Sequence, residues 1–183
     1  SNGCTDTESI TIGSNTPTVT ASAGSDFTKT CSSNASGKAI GESSESGYTY
    51  SWNNGGSLSS STAANPTANP SSTTTYTVTK THTATGCTDT DAVTATVNTT
   101  APTASITNNT GTSTLTCATT SISVTASGGS SYSWSGSLGS SAGATISSAA
   151  TYTVTVTASN GCTDTESITI GSNTPTVTAS AGS

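Results

Sequence analysis

The chain has 183 residues, of which 29% are hydrophobic, 7% are charged and nearly half are Ser or Thr. Its formal net charge is −6, and its three basic residues are scattered along the chain at Lys29, Lys38 and Lys80. This distribution excludes the basic patch that nucleic-acid binding requires. No apolar run approaches the roughly 20 residues needed to cross a bilayer, so we expect no membrane insertion either.

The first 25 residues of the chain return unchanged as residues 159–183, at an offset of 158 positions. A fold tolerates substitution at surface positions, so complete identity indicates recent tandem duplication of a stretch of this length. A weaker repeat lies inside that period: residues 75–97 match residues 151–170, and each copy follows a YSW triplet and a cysteine. We therefore expect two related modules per period, in a chain that is an internal part of a longer secreted protein.

In chain order, the repeats predict four segments. Residues 1–13 end a preceding immunoglobulin-like module, residues 14–98 form module A, residues 99–172 form module B, and residues 173–183 begin the next copy of module A. Proline stands near the module entrances, where a missing backbone N–H does little harm. The linker 98–102 is short, so the modules are expected to form a stiff, rod-like array.

The segments between these boundaries show the two-residue period of β-strands. TYTVTVT (151–157) alternates Thr with Tyr and Val, and TSISVTA (120–126) and ESITI (166–170) repeat the pattern. β-Branched residues disfavour helix and suit a pleated sheet. Short strands separated by Gly, Ser and Asn turns predict an all-β fold of tandem immunoglobulin-like β-sandwich modules. The aromatic side chains expected to fill the two cores are Trp52, Trp134, Tyr76 and Tyr152.

Five cysteines in a secreted chain imply disulfides with one cysteine left over. The order of the repeated motifs predicts the pairs Cys31–Cys87 and Cys117–Cys162. Cys4 is the copy of Cys162, so its partner would lie before residue 1 and Cys4 is expected to be unpaired within this chain. Each predicted loop contributes roughly 4 kcal/mol in the chain-entropy model, a large share of the stability of a thin core. Free thiols or a metal site are the alternative.

Pairs of acidic residues two positions apart follow three of the cysteines. Such spacing puts both carboxylates of a pair on one face of a strand. Ca²⁺ takes six to eight oxygen ligands, so two carboxylates are a weak start for a calcium site. The alternative interpretation is exposed charge that protects strand edges, and we expect no metal. The pairs are Asp6/Glu8, Asp89/Asp91 and Asp164/Glu166.

No other feature of the sequence indicates catalysis. His82 is the one histidine and has no Ser-His-Asp pattern around it, so it is interpreted as a solvated residue. No glycine-rich loop follows a strand and opens a helix, so no phosphate site is suggested. We expect no catalytic residue and no cofactor. Asn34, Asn98 and Asn108 fit the N-x-S/T sequon, and the abundant Ser and Thr leave O-glycosylation open.

Residues 58–97, with the YSW triplets and TYTVTVTASNGCT (151–163), resemble the tandem Ig-like and PKD-like repeats of giant Bacteroidota cell-surface proteins of the gliding-motility adhesin type. The resemblance covers both modules. It implies an extracellular, cell-surface or filament location, secretion, and an adhesive or structural role. One departure is that KTHTATGC (80–87) stands where module B has VTASNGC (156–162), so this turn is expected to differ.

The function that we predict is a structural or adhesive repeat segment of a long extracellular filament or adhesin stalk, not an enzyme. Its partners would be further copies of the repeat, as covalent continuation or as subunits that donate a strand, with surface glycans as further candidates. In such an assembly residues 1–13 should share the surroundings of residues 159–171. The alternative is a tandem carbohydrate- or surface-binding module. Buried aromatic residues favour the structural segment and exposed, coplanar ones favour the binder, the residues concerned being Trp52, Trp134, Tyr48 and Tyr132.

Overall fold

The computed structural model describes residues 2–14 and 16–175, and this part of the chain is all-β apart from one 3₁₀ turn at Gly55–Ser57. The strands are β1 (Phe27–Thr30), β2 (Lys38–Ala39), β3 (Tyr48–Trp52), β4 (Thr67–Ala68), β5 (Thr74–His82), β6 (Thr88–Asn98), β7 (Ser105–Asn108), β8 (Thr114–Leu115), β9 (Ile122–Ser127), β10 (Ser131–Trp134), β11 (Gly143–Ile146), β12 (Ala150–Thr157) and β13 (Thr163–Ser172).

The chain divides into two compact units. Unit 1 takes in the chain up to Phe27 together with Ser36–Thr96, and unit 2 takes in Thr28–Ala35 and the chain from Val97 onward. The predicted module boundary at 98/99 lies two residues beyond the division at Thr96. The grouping of Thr28–Ala35 with unit 2 has no counterpart in the predicted boundaries.

The core of unit 1 lies between the neighbouring strands β6, β5 and β3 of one sheet and the two-stranded sheet β2-β4, with Phe27 as the contribution of β1. Strand β5 runs antiparallel to both β3 and β6. It buries every second side chain, Tyr76, Val78 and Lys80, while the intervening threonines remain partly exposed. On the outer face, Thr75 of β5 pairs with Thr94 of β6, and their Oγ1 atoms are 3.1 Å apart. The two-residue period of the sequence therefore places the apolar side chains of the strand on the face that packs in the core.

Unit 2 has the same construction. One sheet has the order β10-β12-β13-β8 and the other β11-β9-β7, and their inner faces share one apolar core. Strand β12 buries Tyr152, Val154 and Val156, and strand β9 buries Ile122, Val124 and Ala126. Neighbouring strands are antiparallel except for β8, which runs parallel to the end of β13. Both units are immunoglobulin-like β-sandwiches, so the predicted fold class is confirmed.

The duplicated segment has two different structures in this chain. In its second copy, Thr163–Ser172 of the segment form β13, and Ile170 is only 2% exposed. In the first copy, residues 2–14 have no assigned strand, and Ile10 and Ile12 are 87% and 88% exposed. The same sequence therefore becomes a strand only beside a partner such as β12, and in this chain residues 2–13 do not have the surroundings of their copies.

Candidate functional site

A disulfide joins Cys31 to Cys162, residues that are 131 positions apart in the sequence and lie in unit 2. Their Cα atoms are 5.0 Å apart, within the usual range for a disulfide. Among the described residues, Cys87 is a partly exposed free thiol, and Cys4 and Cys117 are exposed free thiols. The structure thus replaces the predicted pairs Cys31–Cys87 and Cys117–Cys162 by one bond that links a cysteine of each pair.

Strand geometry explains why the predicted pairs do not form. Cys162 stands immediately before the first residue of β13, whereas Cys117 follows Leu115, which pairs with Ser172 at the other end of that strand. The 10 residues of β13 span about 30 Å at roughly 3.3 Å per residue, far beyond the reach of a disulfide. Module A has the same arrangement. Cys87 immediately precedes Thr88 at the start of β6, whereas Asp26, just before β1 and Cys31, accepts a hydrogen bond from the backbone of Thr94, much further along β6.

The Cys31 turn is held by the side chain of Thr30. Its Oγ1 accepts hydrogen bonds from the backbone N–H groups of Ser32 at 3.3 Å and Ser33 at 2.8 Å. The backbone N–H of Thr30 donates to the Ser33 carbonyl at 2.8 Å, which closes the turn. Threonine serves here because its hydroxyl competes for nearby backbone groups in turns. The closed turn presents the Cys31 side chain at its corner.

The Cys162 turn is held by an asparagine and a glycine. Asn160 Oδ1 accepts a hydrogen bond from the Cys162 N–H at 3.0 Å, and the Ala158 N–H donates to the Cys162 carbonyl at 2.9 Å. Gly161 has φ +78°, and a Cβ at this position would overlap the side chain of Ser32. Only glycine satisfies both the backbone conformation and the close approach.

Asn160 also ties this turn to the chain between the two predicted modules. Its Nδ2 donates to the carbonyl of Thr100 at 2.9 Å and to Asn98 Oδ1 at 3.1 Å. The Ser32 hydroxyl donates to the Asn160 carbonyl at 3.4 Å. One residue thus connects the turn, the linker and the segment that carries Cys31, and hydrogen bonds of this kind contribute about 1 kcal/mol each.

The aspartates that follow Cys87 and Cys162 each accept a hydrogen bond from the backbone near the start of their predicted module. Asp89 Oδ2 accepts the backbone N–H of Ala21 at 2.8 Å, and Asp164 Oδ2 accepts that of Ala104 at 2.8 Å. The hydrogen bond from Ala21, with a second from Thr90, lowers the pKa of the Asp89 carboxyl below its ordinary value. The hydrogen bond from Ala104 has the same effect on the pKa of Asp164. These bonds favour the ionised carboxylate.

The same observations change the interpretation of the acidic pairs. Asp91 Oδ2 accepts the Ala23 N–H at 2.8 Å, so both carboxylates of the module A pair hold the backbone of residues 21–23. Among the described residues, no three His, Cys, Asp or Glu side chains come together as a metal site. The sequence reasoning missed this anchoring role because the bonded residues are 68 positions apart.

The third basic residue lies inside unit 1. Lys80 is 5% exposed, with Nζ 2.7 Å from Glu42 Oε1 and 2.8 Å from Glu45 Oε2. Its ammonium also lies 4.6 Å from the centroid of the Tyr48 ring. Hydrogen bonding to Glu42, and then to Glu45, raises the pKa of Lys80 above its ordinary value. The burial of Lys80 is indicated in the sequence by strand alternation, which places it on the inner face of β5 after Tyr76 and Val78.

The aromatic residues predicted for the cores are all buried. Trp52 and Trp134 are each 5% exposed, and their indole N–H groups donate to the carbonyls of Ala63 at 2.8 Å and Ser141 at 3.1 Å. Tyr48 and Tyr132 are half-buried against the cores of units 1 and 2. Every aromatic side chain in the described ranges is buried or half-buried. Tyr76 and Tyr152 are 0% and 5% exposed.

The remaining candidate residues are engaged locally. His82 Nδ1 lies 2.9 Å from Thr85 Oγ1, and its ring meets that of Tyr48 edge-on at 5.1 Å. The sequon asparagines hold turns: Asn34 Nδ2 donates to the Thr28 carbonyl at 2.8 Å, and Asn108 Nδ2 to the Thr112 carbonyl at 2.9 Å. The third, Asn98, accepts the hydrogen bond from Asn160.

Comparisons with known proteins give no family assignment. No family model matches the chain, and no curated protein matches it. Among solved structures it is similar to an amphioxus IgVJ-C2 molecule, with 16% identity over 70% of this chain and 90% of that one and a TM-score of 0.35. The extracellular domains of protocadherin gammaB7 match at 12% identity over 76% of this chain and 43% of theirs, with a TM-score of 0.37.

A further similar structure is that of domains 4 and 5 of the S-layer protein SbsC, with 17% identity, 70% of each chain covered and a TM-score of 0.26. The similarity to gliding-motility adhesin repeats remains a resemblance of sequence. No helix in the described part of the chain is long and apolar enough to cross a membrane.

Proposed function

We propose that this chain is a load-bearing repeat segment of a long extracellular filament or cell-surface adhesin stalk, without enzymatic activity. The observation that carries the proposal is the bond between Cys31 and Cys162 in a chain whose first 25 residues recur at an offset of 158 positions. The bond encloses most of modules A and B in one covalent loop. Tension along the filament then passes through the bond and bypasses the loop.

Few positions of each repeat would lie outside the loops that Cys31–Cys162 bonds close. Cys4 is the copy of Cys162, and Cys31 follows it after 27 positions. In a continuous array, only this stretch of each period lies between one bridge and the next. A period of 158 residues can extend to about 550 Å when fully stretched, whereas 27 residues extend to about 95 Å. The bridges would therefore make the filament almost inextensible even if its modules unfolded.

The chemistry of the bond supports an extracellular location. Disulfides form and persist in oxidising compartments and are rare in the cytosol. The cores are thin, since only 29% of the chain is hydrophobic, so a covalent bond contributes much of the stability. A secreted, surface-located repeat protein accounts for both features.

The buried aromatic residues support a spacer rather than a binding module. Sugar-binding surfaces present a face of Trp or Tyr for stacking, but Trp52 and Trp134 are enclosed in the cores and hydrogen-bonded there. His82 contacts Thr85 Oγ1, which also accepts the Cys87 N–H, and packs edge-on against Tyr48, so both contacts of the imidazole have a structural role in the turn. Neither feature favours carbohydrate binding or an enzyme.

The exposed N-terminal segment supports further copies of the repeat as partners. Ile10 and Ile12 are the exposed large hydrophobic residues among those described, and their copies Ile168 and Ile170 pack against the unit 2 core. Residues 2–13 therefore match the last strand of a sandwich whose other strands they lack. Those strands would come from the preceding stretch of the same polypeptide or from a separate subunit.

Single-molecule stretching tests the proposal directly. Filaments pulled between two points without reductant should lengthen by no more than about 100 Å per repeat, and by about five times more after reduction. A matched control is a tandem chain with Cys31→Ser and Cys117→Ser in every copy, which should extend fully without reductant. Equal extension with and without reductant would show that the Cys31–Cys162 bond does not carry load, and would overturn the proposed function.

A further inference from the structure

We propose that Cys117 forms a disulfide with Cys87 of the following copy of the repeat. The inference rests on the proposed function in one respect, which is that a further copy follows this chain. In such an array, the next Cys87 comes 128 positions after Cys117, against 131 positions from Cys31 to Cys162. The two pairs thus have nearly the same spacing, and each joins the early cysteine of one module to the late cysteine of the next.

The turn that carries Cys117 has the structure of the bonded Cys31 turn. Thr116 Oγ1 accepts the N–H groups of Ala118 at 3.2 Å and Thr119 at 2.9 Å, as Thr30 Oγ1 does from Ser32 and Ser33. The Thr116 N–H donates to the Thr119 carbonyl at 2.9 Å and closes the turn in the same way. Cys117 therefore lies in a turn with the same backbone hydrogen bonds as the turn of the disulfide-bonded Cys31.

The turn that carries Cys87 matches the bonded Cys162 turn. The His82 N–H donates to the Cys87 carbonyl at 2.9 Å, as the Ala158 N–H does to Cys162. Gly86 has φ +73°, close to the +78° of Gly161. The Cys87 N–H donates to Thr85 Oγ1 at 3.4 Å, where Asn160 accepts from Cys162. The expected difference between the two turns is one additional residue, and it leaves the cysteine frame unchanged.

The position of Cys117 at the end of unit 2 suits a partner from the next copy. The chain leaves β13 beside this turn, where the Asn173 N–H donates to the Leu115 carbonyl at 2.7 Å. Cys117 is exposed there and Cys87 is partly exposed, so both thiols are accessible. Neither can reach the other cysteine of its own module, because those lie at opposite ends of β6 or β13.

The chemistry is a two-electron oxidation. The thiols of Cys117 and the next Cys87 lose two protons and two electrons and form one S–S bond, while a small-molecule disulfide takes these up and becomes two thiols. The new loop would enclose the 27 positions that the Cys31–Cys162 bonds leave open. Successive loops then overlap along the whole filament.

Two substitutions distinguish this second junction from the first. Ala118 stands where Ser32 supplies a hydroxyl, and Thr85 stands where Asn160 binds the linker. Thr85 Oγ1 lies against His82 Nδ1 instead. The second junction therefore depends more on its disulfide and less on side-chain hydrogen bonds.

The test uses the full chain continued after Ser183 by a second copy of residues 26–98. Serine replaces Cys4, the first-copy Cys87 and the second-copy Cys31, which leaves four cysteines and three alternative pairings. After refolding with a mixture of oxidised and reduced glutathione, non-reducing digestion and mass spectrometry should find Cys31–Cys162 together with Cys117 bonded to the second-copy Cys87. With Cys117→Ser added, that Cys87 should become alkylated while Cys31–Cys162 persists.

The outcomes separate this inference from the proposed function. If Cys31–Cys162 forms and Cys117 stays a free thiol, the inference is overturned and the load-bearing role of Cys31–Cys162 stands. A bond between Cys117 and Cys162 overturns both, because the predicted intramodule pairing would then be correct. Absence of any bond to Cys31 also overturns both, since it removes the bonded turn on which the inference is based.

Discussion

Replacing Trp134 by alanine tests whether the tryptophans are core residues or a binding surface. The indole is 5% exposed and belongs to the core of unit 2. Truncating a buried Trp or Phe to Ala typically costs 3–5 kcal/mol, and loss of the hydrogen bond to Ser141 adds about 1 kcal/mol. We therefore expect Trp134→Ala to lower the free energy of unfolding of unit 2 by about 5 kcal/mol, a large part of the total for a domain of this size.

The assay exploits the presence of two tryptophans, one in each unit. Urea unfolding of Trp134→Ala is followed by far-UV circular dichroism for both units and by Trp52 fluorescence for unit 1 alone. The matched variant Trp52→Ala reverses the roles, with Trp134 reporting unit 2. Trp134→Phe should cost less than Trp134→Ala, because the ring still fills most of the site.

A small effect would refute the reasoning. If Trp134→Ala lowers the free energy of unfolding by less than about 1 kcal/mol, the indole is not packed in solution. It would then be free to stack on a sugar, and the tandem binding module would be the better account. Quenching of Trp fluorescence by added oligosaccharide would support that conclusion.

Three further predictions concern stability. Reduction, or Cys162→Ser, should lower the free energy of unfolding by about 5 kcal/mol in the chain-entropy model for a loop of 131 positions, and equal melting with and without reductant would contradict this. Because the pKa of Asp164 is lower in the folded state, this carboxylate stabilises the fold above its unfolded pKa, and the stabilisation is lost as pH falls through its folded pKa. Asp164→Asn should therefore flatten the fall in melting temperature below about pH 4, and an unchanged slope would contradict the anchoring role. Lys80→Met should lower the free energy of unfolding in urea by about 3 kcal/mol, because it leaves Glu42 partly buried and unpaired. Adding Glu42→Gln and Glu45→Gln should recover most of this loss, whereas no loss in the single variant would show that the ion pair is not buried in solution.

Strand alternation was enough to predict strands β9, β12 and β13 and the core aromatic residues Tyr76 and Tyr152. Tyr76 and Val78 in β5 and Tyr152 and Val154 in β12 are buried as their two-residue spacing predicts, because a pleated strand sends alternate side chains to opposite faces. Lys80 continues the inward series, and its burial could have been predicted from the same spacing.

Contacts between distant parts of the sequence could not be predicted in this way. The predicted pair Cys117–Cys162 was wrong because motif order says which strand a cysteine is near but not which end of it. The hydrogen bond from the Ala104 N–H to the Asp164 carboxylate was not predicted for a similar reason, since 60 positions separate the two residues. Periodicity is a local signal, whereas both features depend on how strands are arranged in the sheet.

The mass of the native protein under denaturing, reducing conditions tests the central claim most directly. If the chain is a repeat segment of a covalent filament, the polypeptide that contains it should run far above 17.7 kDa after every disulfide has been reduced. Residues 2–13 would then complete a sandwich of the same polypeptide. A species near 17.7 kDa would contradict the covalent filament and favour separate subunits that donate this strand to a neighbour.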